Sequence, residues 1–361
     1  MQIGMLLIFQ NYEKQLSDSE AWRRDLALAD LAEPLGYEIL SCVEHHFFDY
    51  STSSSNIQLL TYWAARTKQI KLLTGVVILP WNDPRRVIEQ MSVLDHLSGG
   101  RALFGIGRGL ARREYDVFDI DMGESRERFD ESARIILDAL DTGHMEANGN
   151  FYKIPRTEVR PQPRAGFRDR LSAVAMSSDS IPSCAELGAQ MVCFSQKPWA
   201  EMVPHFETYR SLFQQYHGKP APRPLIADFM LCSESADEAE ELARTHMANT
   251  YYSVMEHYEI MGSHFKTMKG YGAYAKAAEE AAEQLASTAL HDTARAFADI
   301  NTFGTPQQVL DRLEERRAII GDYDYLIQPS FGGLSAKNAE RSVRLFADKV
   351  MPELRSWKKA S

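Results

Sequence analysis

The chain has 361 residues, 44% of them hydrophobic and 25% charged, and a formal net charge of −10. That composition is globular and is enough for one large domain or two ordinary ones. The acidic balance excludes nucleic acid and anionic membranes as general partners, and no run reaches the roughly 20 apolar residues of a membrane span. An anionic cofactor would need a local basic site. The opening MQIGMLLIFQ has no basic lead and reads as a strand, not a signal peptide. Cys42, Cys184, Cys193 and Cys232 form no C-x-x-C pair, so reduced core thiols and a cytoplasmic location are expected.

Elements alternate from the start. Ile3 to Phe9 is an apolar run that predicts a buried strand. Ser17 and Glu20 fit a capping box, and Trp22, Leu26, Ala29 and Ala32 follow at helical spacing. Glu38 to Val43 predicts the second strand, and Leu59, Leu60, Trp63 and Ala64 the helix after it. Ile70 to Leu79 predicts the third strand. Asp83-Pro84 opens a helix with the stripe Val87, Ile88, Met91, Leu94 and Leu97, stopped by Gly99-Gly100. Ala102, Leu103 and Phe104 begin a fourth strand that runs into Gly105, Gly107 and Gly109. A helix from about Glu124 to Leu140 follows.

Residues 143 to 170, with Pro155, Pro161 and Pro163, break the rhythm and predict a surface loop. The alternation then returns. Strands are expected at Leu171 to Met176, Met191 to Phe194, Leu225 to Leu231 and Tyr325 to Gln328. Helices are expected at Ser180 to Leu187, Trp199 to Tyr216, Thr305 through Leu313 and Ser335 to Met351. Eight strands alternating with helices imply a parallel sheet with right-handed crossovers. They fit a single (β/α)8 TIM barrel over residues 1–361, with its site at the C-terminal strand ends. Two doubly wound domains are the alternative, but no linker divides the chain. Ser233 to Phe303 is too long for one crossover. It reads as an insertion at the barrel mouth, either a lid or a surface helical hairpin.

Three features at the strand ends carry chemistry. Arg108 stands among three glycines, where backbone N–H groups and a five-donor guanidinium could meet a phosphate. The full G-x-G-x-x-G fingerprint fails at Leu110. Ser177 to Ser180 precede a helix and could form an anion site or a plain N-cap, and Arg126 could add a second guanidinium. His45 and His46 follow the second strand, where neighbours point to opposite faces, so no shared metal is expected. One of them is suited to acid–base work, since its charge changes near neutral pH.

These residues resemble the luciferase-like flavin-dependent monooxygenases, most closely the alpha chain of bacterial luciferase. The resemblance rests on EHHF at Glu44 to Phe47, Leu79-Pro80 to Pro84-Arg85, LDHLSGGR at Leu94 to Arg101 and FGIGRGL at Phe104 to Leu110. VFDIDMGESR at Val117 to Arg126, Gly304-Thr305-Pro306 and VMPEL at Val350 to Leu354 extend it. It covers nearly the whole chain and is weakest over Tyr251 to Ile300.

The resemblance implies a (β/α)8 barrel that uses reduced FMN (FMNH2), a separate NAD(P)H:flavin reductase and O2. By position, His45 would serve as base or proton donor around a flavin C4a-peroxide. Arg108, Arg126, Ser177 and Ser180 would hold the FMN phosphate, helped by backbone at Leu110 and Met176. Gly75-Val76 would be a non-proline cis peptide beneath the flavin ring, with Phe9 and Val174 lining the pocket. Gly107 replaces a reactive cysteine, Ser195 a tryptophan and Met176 a glutamate. The first two point away from light emission on a long-chain aldehyde. A related oxygenation of a small apolar organic substrate is expected: hydroxylation, Baeyer–Villiger insertion or aldehyde oxidation. The alternatives are a deazaflavin (F420)-dependent oxidoreductase and a non-catalytic subunit of the luciferase-beta kind. A homodimer through the second and third helices is also expected.

Overall fold

The computed structural model describes residues 1–266, 268–269, 271–272, 274–276, 279 and 290–357. Eight parallel strands close into a barrel. They are β1 (Ile3–Leu7), β2 (Ile39–Cys42), β3 (Lys71–Thr74), β4 (Ala102–Gly107), β5 (Leu171–Val174), β6 (Gln190–Phe194), β7 (Leu225–Cys232) and β8 (Asp324–Gln328). Each pairs with the next in sequence, and β8 returns to β1. The fold is therefore a (β/α)8 TIM barrel. The flanking helices include α1 (Asp18–Ala32), α2 (Asn56–Arg66), α3 (Pro84–Ser98), α4 (Arg112–Val117), α5 (Ser125–Thr142), α6 (Ile181–Glu186), α7 (Trp199–His217) and α8 (Ala236–His257). Both predicted capping boxes form, Ser17 with Glu20 and Thr305 with Gln308.

The apolar side chains divide between two cores. Leu6, Ile39, Leu73, Val192, Leu225 and Leu326 fill the barrel interior. Residues of opposite parity, such as Met5, Leu40, Leu72 and Ile226, face outward and pack with Leu28, Leu60, Ile88 and Phe206 of the helices. This two-sided burial explains why the strands read as continuous apolar runs. All four cysteines are free and buried, and burial pushes their thiols up.

Four expectations need correction. The third strand is not continuous: it breaks at Gly75-Val76, the expected cis peptide, and resumes at Val77–Ile78 against β4. Residues 143 to 170 are not only loop, since His144–Asn148 and Lys153–Glu158 form an antiparallel hairpin. Its strands are mostly exposed, so their sequence lacks an apolar signal. The stripes of α2 and α3 are buried within the chain, apart from Leu97. Only Tyr62, Val93 and Leu97 leave large apolar surface exposed on those helices. The insertion also adds a short strand, Thr302–Gly304, parallel to β7.

The β3 break is bridged by Thr74. Its hydroxyl donates to the Gly105 carbonyl at 2.8 Å and accepts the Gly105 N–H at 2.7 Å. A Cβ on Gly105 would lie 2.0 Å from the Thr74 carbonyl oxygen, which backbone cannot yield cheaply. Gly105→Ala should destabilise the barrel by about 3 kcal/mol, the upper end for overpacking. A denaturant midpoint equal to the wild type would contradict this.

Candidate active site

The C-terminal strand ends surround one large cavity. It holds about 1270 Å³ of space between protein atoms, counting its opening to solvent. Its floor is the top of the barrel core, with Ile8, Val43, Val174, Phe194 and Ala227. Of the residues expected from sequence, His45, Gly75, Val76, Gly107, Arg108, Leu110, Val174, Met176, Ser177 and Ser180 all line it. Ser195 lines it too, with its hydroxyl buried and unpartnered.

Phe9 does not line it. Its backbone takes φ +52°, and its ring turns outward to meet Trp22 at 4.8 Å between centroids. Ile8 occupies that part of the wall instead. Arg126 also stands outside the wall, in the first turn of α5. Burial is the main cause that lowers its pKa, and the positive charge of Arg108 lowers it further. Its Nη2 is buried without a hydrogen-bond partner. Two repelling guanidinium groups and a donor left over fit an anion between them. Ser177 and Ser180 bring two hydroxyls, 3.0 Å apart, to the same cavity as Arg108.

Gly107 lets Val76 pack closely against the strand end, since a Cβ there would lie only 2.6 Å from Val76 Cγ2. The Arg108 guanidinium lies 4.0 Å from the Tyr271 ring centroid, and the Tyr271 hydroxyl donates to the Gly109 carbonyl. Val254, Tyr258, Tyr274, Phe297 and Asn301 join the wall, so the insertion does sit at the barrel mouth. Gly262 and Gly272 of the expected lid are described; Gly270 lies outside the described residues.

In the same cavity His45 is held on both nitrogens. Nδ1 lies 3.1 Å from Glu114 Oε1, and the Tyr258 hydroxyl lies 3.3 Å from Nε2. Tyr50 and His257 meet the His45 ring edge-on, with centroids 4.9 and 5.0 Å away. His46 turns the other way, onto Phe118 and Glu44. Glu44 also accepts from Trp81 Nε1 and Asn82 Nδ2, both at 2.8 Å, which ties the end of β2 to the loop before α3. The two adjacent histidines therefore do not share a ligand set. His45, Glu114 and His257 bring one ligating atom each within 4.8 Å of one another, and His45 and Glu114 satisfy each other by hydrogen bonding.

Glu114, His257, Tyr258 and Tyr50 were not foreseen. Glu114 is 1% exposed although it sits in a polar run, RREYDV. His257 is 2% exposed, and burial together with the neighbouring His45 and Arg113 lowers its pKa to about 2. Its folded pKa lies below the unfolded value, so the unfolded chain binds the extra proton on acidification. Stability is then full above the unfolded value of about 6.5 and falls as pH drops toward 2, losing about 2 kcal/mol by pH 5. Thermal melts of wild type and His257→Phe at pH 7 and 5 check this. An equal drop in both proteins would contradict it.

A luciferase-like monooxygenase family model matches residues 1–323. The chain belongs to the luciferase-like monooxygenases. The alpha chain of alkanal monooxygenase from Photobacterium leiognathi is 27% identical over 348 residues, covering 94% of this chain and 95% of that one. Two solved structures share the fold. One is the oxygenating constituent of 3,6-diketocamphane monooxygenase from Pseudomonas putida, a type II Baeyer–Villiger monooxygenase in complex with FMN. It has a TM-score of 0.75 at 16% identity and covers 98% of this chain and 99% of that one. The other is the coenzyme F420-dependent tetrahydromethanopterin reductase from Methanopyrus kandleri, with a TM-score of 0.66 at 17% identity over 98% and 99% of the two chains. No helix among the described residues of this luciferase-like chain is long and apolar enough to cross a membrane.

Proposed function

We propose that this family member is a two-component, FMN-dependent monooxygenase. It takes reduced FMN (FMNH2) from a separate NAD(P)H:flavin reductase, uses O2, and oxygenates a small apolar organic molecule in the cytoplasm. The observation that carries this reading is one cavity whose wall holds Arg108, Ser177 and Ser180 together with His45 and Glu114. When bound, reduced FMN supplies the two electrons that activate O2. Arg108, Arg126, Ser177 and Ser180 hold its phosphate, with backbone at Leu110 and Met176. Gly75, Val76, Gly107 and Val174, which line the cavity, would flank the ring. His45 holds and moves a proton, oriented by Glu114 on Nδ1.

Tyr50, Trp81, Phe229, Val254 and Phe297 make the rest of the wall apolar. They accommodate the substrate and exclude water, and residues 233–303 cover the mouth as a lid on a single barrel domain. Hydroxylation, Baeyer–Villiger insertion and aldehyde oxidation all suit this wall. The His45–Glu114 pair is complete, which favours an active chain over a silent subunit. The exposed Tyr62, Val93 and Leu97 supply the apolar contact for a homodimer. Anaerobic titration decides the cofactor. Reduced FMN should bind and quench protein fluorescence, whereas F420 should not. Binding of F420 alone would overturn the reading in favour of a deazaflavin oxidoreductase.

A further inference from the structure

A second cavity lies on the outer side of the histidine group. Its wall includes Tyr12, Glu13, Lys14, Asp49, Arg113 and His257. Tyr50 belongs to both cavities, and His45 and Glu114 to the inner one. We propose that Tyr258, His45, Glu114 and His257 form a proton path between the inner cavity and the outer one.

The atoms follow one another. The Tyr258 hydroxyl is 3.3 Å from His45 Nε2, and His45 Nδ1 is 3.1 Å from Glu114 Oε1. Glu114 Oε1 is 3.7 Å from His257 Nε2. His257, the last residue of α8, and Tyr258, its C-cap, supply the two ends of the path. Neither nitrogen of His257 has a hydrogen-bond partner, although both are buried. Leaving a buried donor and acceptor unmade costs about 1–3 kcal/mol each, so a purely structural position would favour an apolar ring. A neutral imidazole offers what a relay needs, a lone pair on one side and an N–H on the other.

The inference rests on the monooxygenase reading. If the reduced cofactor enters as a monoanion, its oxidation with O2 and an apolar substrate gives oxidised cofactor, oxygenated substrate and water. That balance takes up one proton per turnover. Inward passage starts with Nε2–H on both imidazoles. In one concerted transfer His257 passes that proton to Glu114 as its Nδ1 takes one from the outer cavity, Glu114 passes one to His45 Nδ1, His45 passes its Nε2 proton to the Tyr258 oxygen, and the phenol releases its own into the inner cavity. Each group ends with its starting charge and nothing in the chain is oxidised; both imidazoles end as Nδ1–H, with His45 Nδ1–H donating to Glu114, and exchange back to Nε2–H resets the path. Glu114, His45, Tyr50, Tyr258 and Arg113 are the titratable and charged groups that face His257.

Tyr258→Phe and His257→Phe keep ring volume and remove the path atoms. Both should slow the product-forming step about 10²-fold with unchanged substrate KM and an altered solvent deuterium isotope effect. Added imidazole, filling the space that a truncated side chain leaves beside Glu114, should restore a His257→Ala variant and not Tyr258→Phe. Nitrogen-15 NMR of the ligand-free protein gives a readout independent of turnover. His257→Phe should change the His45 Nδ1 resonance through Glu114, and Tyr258→Phe the Nε2 resonance. Slower turnover without rescue, or His45 resonances that ignore both variants, would overturn the path. A wild-type chain that oxygenates nothing would instead sink the monooxygenase reading, and the NMR result would still decide the connection.

Discussion

Alanine at position 45 is expected to lower coupled product formation by about 10²–10⁴-fold while FMN affinity stays within about twofold. The reason is the division of the cavity. His45 lies with Glu114 and Tyr258, whereas the proposed anion cradle consists of Arg108, Arg126 and the two serines. Removing the imidazole deletes proton transfer and leaves the cradle intact. Oxidation of reduced FMN should continue, so hydrogen peroxide should replace product. His45→Gln should behave like the alanine variant, since an amide has donors and acceptors but does not titrate. Product yield, peroxide yield and FMN titration check this together. Unchanged coupled turnover in His45→Ala would refute the role assigned to His45.

Arg108→Ala should weaken FMN binding about 10–100-fold, which corresponds to one charged hydrogen-bond partner of a phosphate at about 1.5–3 kcal/mol. The chain carries a net charge of −10, so the cradle must overcome the surrounding field locally. Arg126→Ala should act in the same direction and less strongly, because its charge is already shared with Asp130 at 3.6 Å. Riboflavin, which has no phosphate, is the control: its affinity should be indifferent to both variants. Arg108→Lys should recover only part of the loss, because an ammonium keeps the charge but not the guanidinium's forked donors or its contact over the Tyr271 ring. Equal weakening of FMN and riboflavin would show that Arg108 shapes the pocket and does not bind phosphate.

The barrel was legible because each buried strand is a short apolar run ended by turn residues, from Ile3–Leu7 to Asp324–Gln328. Capping chemistry marked the helix starts at Ser17 and Thr305 for the same local reason. The break at Gly75-Val76 was not visible as periodicity, since Val76, Val77 and Ile78 continue the apolar run. The residues proposed for the cradle were legible in pieces, as an arginine among glycines and a serine cluster before a helix. Tertiary closure brought the pieces to one cavity.

The partners of His45 had no such signal. Glu114 sits between arginines and aspartate in a run that reads as a solvated face, and becomes buried only because α4 docks over the end of β2. His257 ends a 22-residue helix, and Tyr258 caps it, in a pattern that says helix and nothing about where it leads. Phe9 erred the other way. It continues the apolar run of the first strand, but its φ of +52° turns the ring out of the barrel.

The most direct test of the central claim is a stopped-flow mix of the protein, loaded with reduced FMN, against oxygenated buffer. The proposed monooxygenase should show a transient absorbance distinct from reduced and oxidised flavin, decaying slowly alone and faster when the right substrate is added. Immediate return to free oxidised FMN, with no transient at any substrate, would contradict the account.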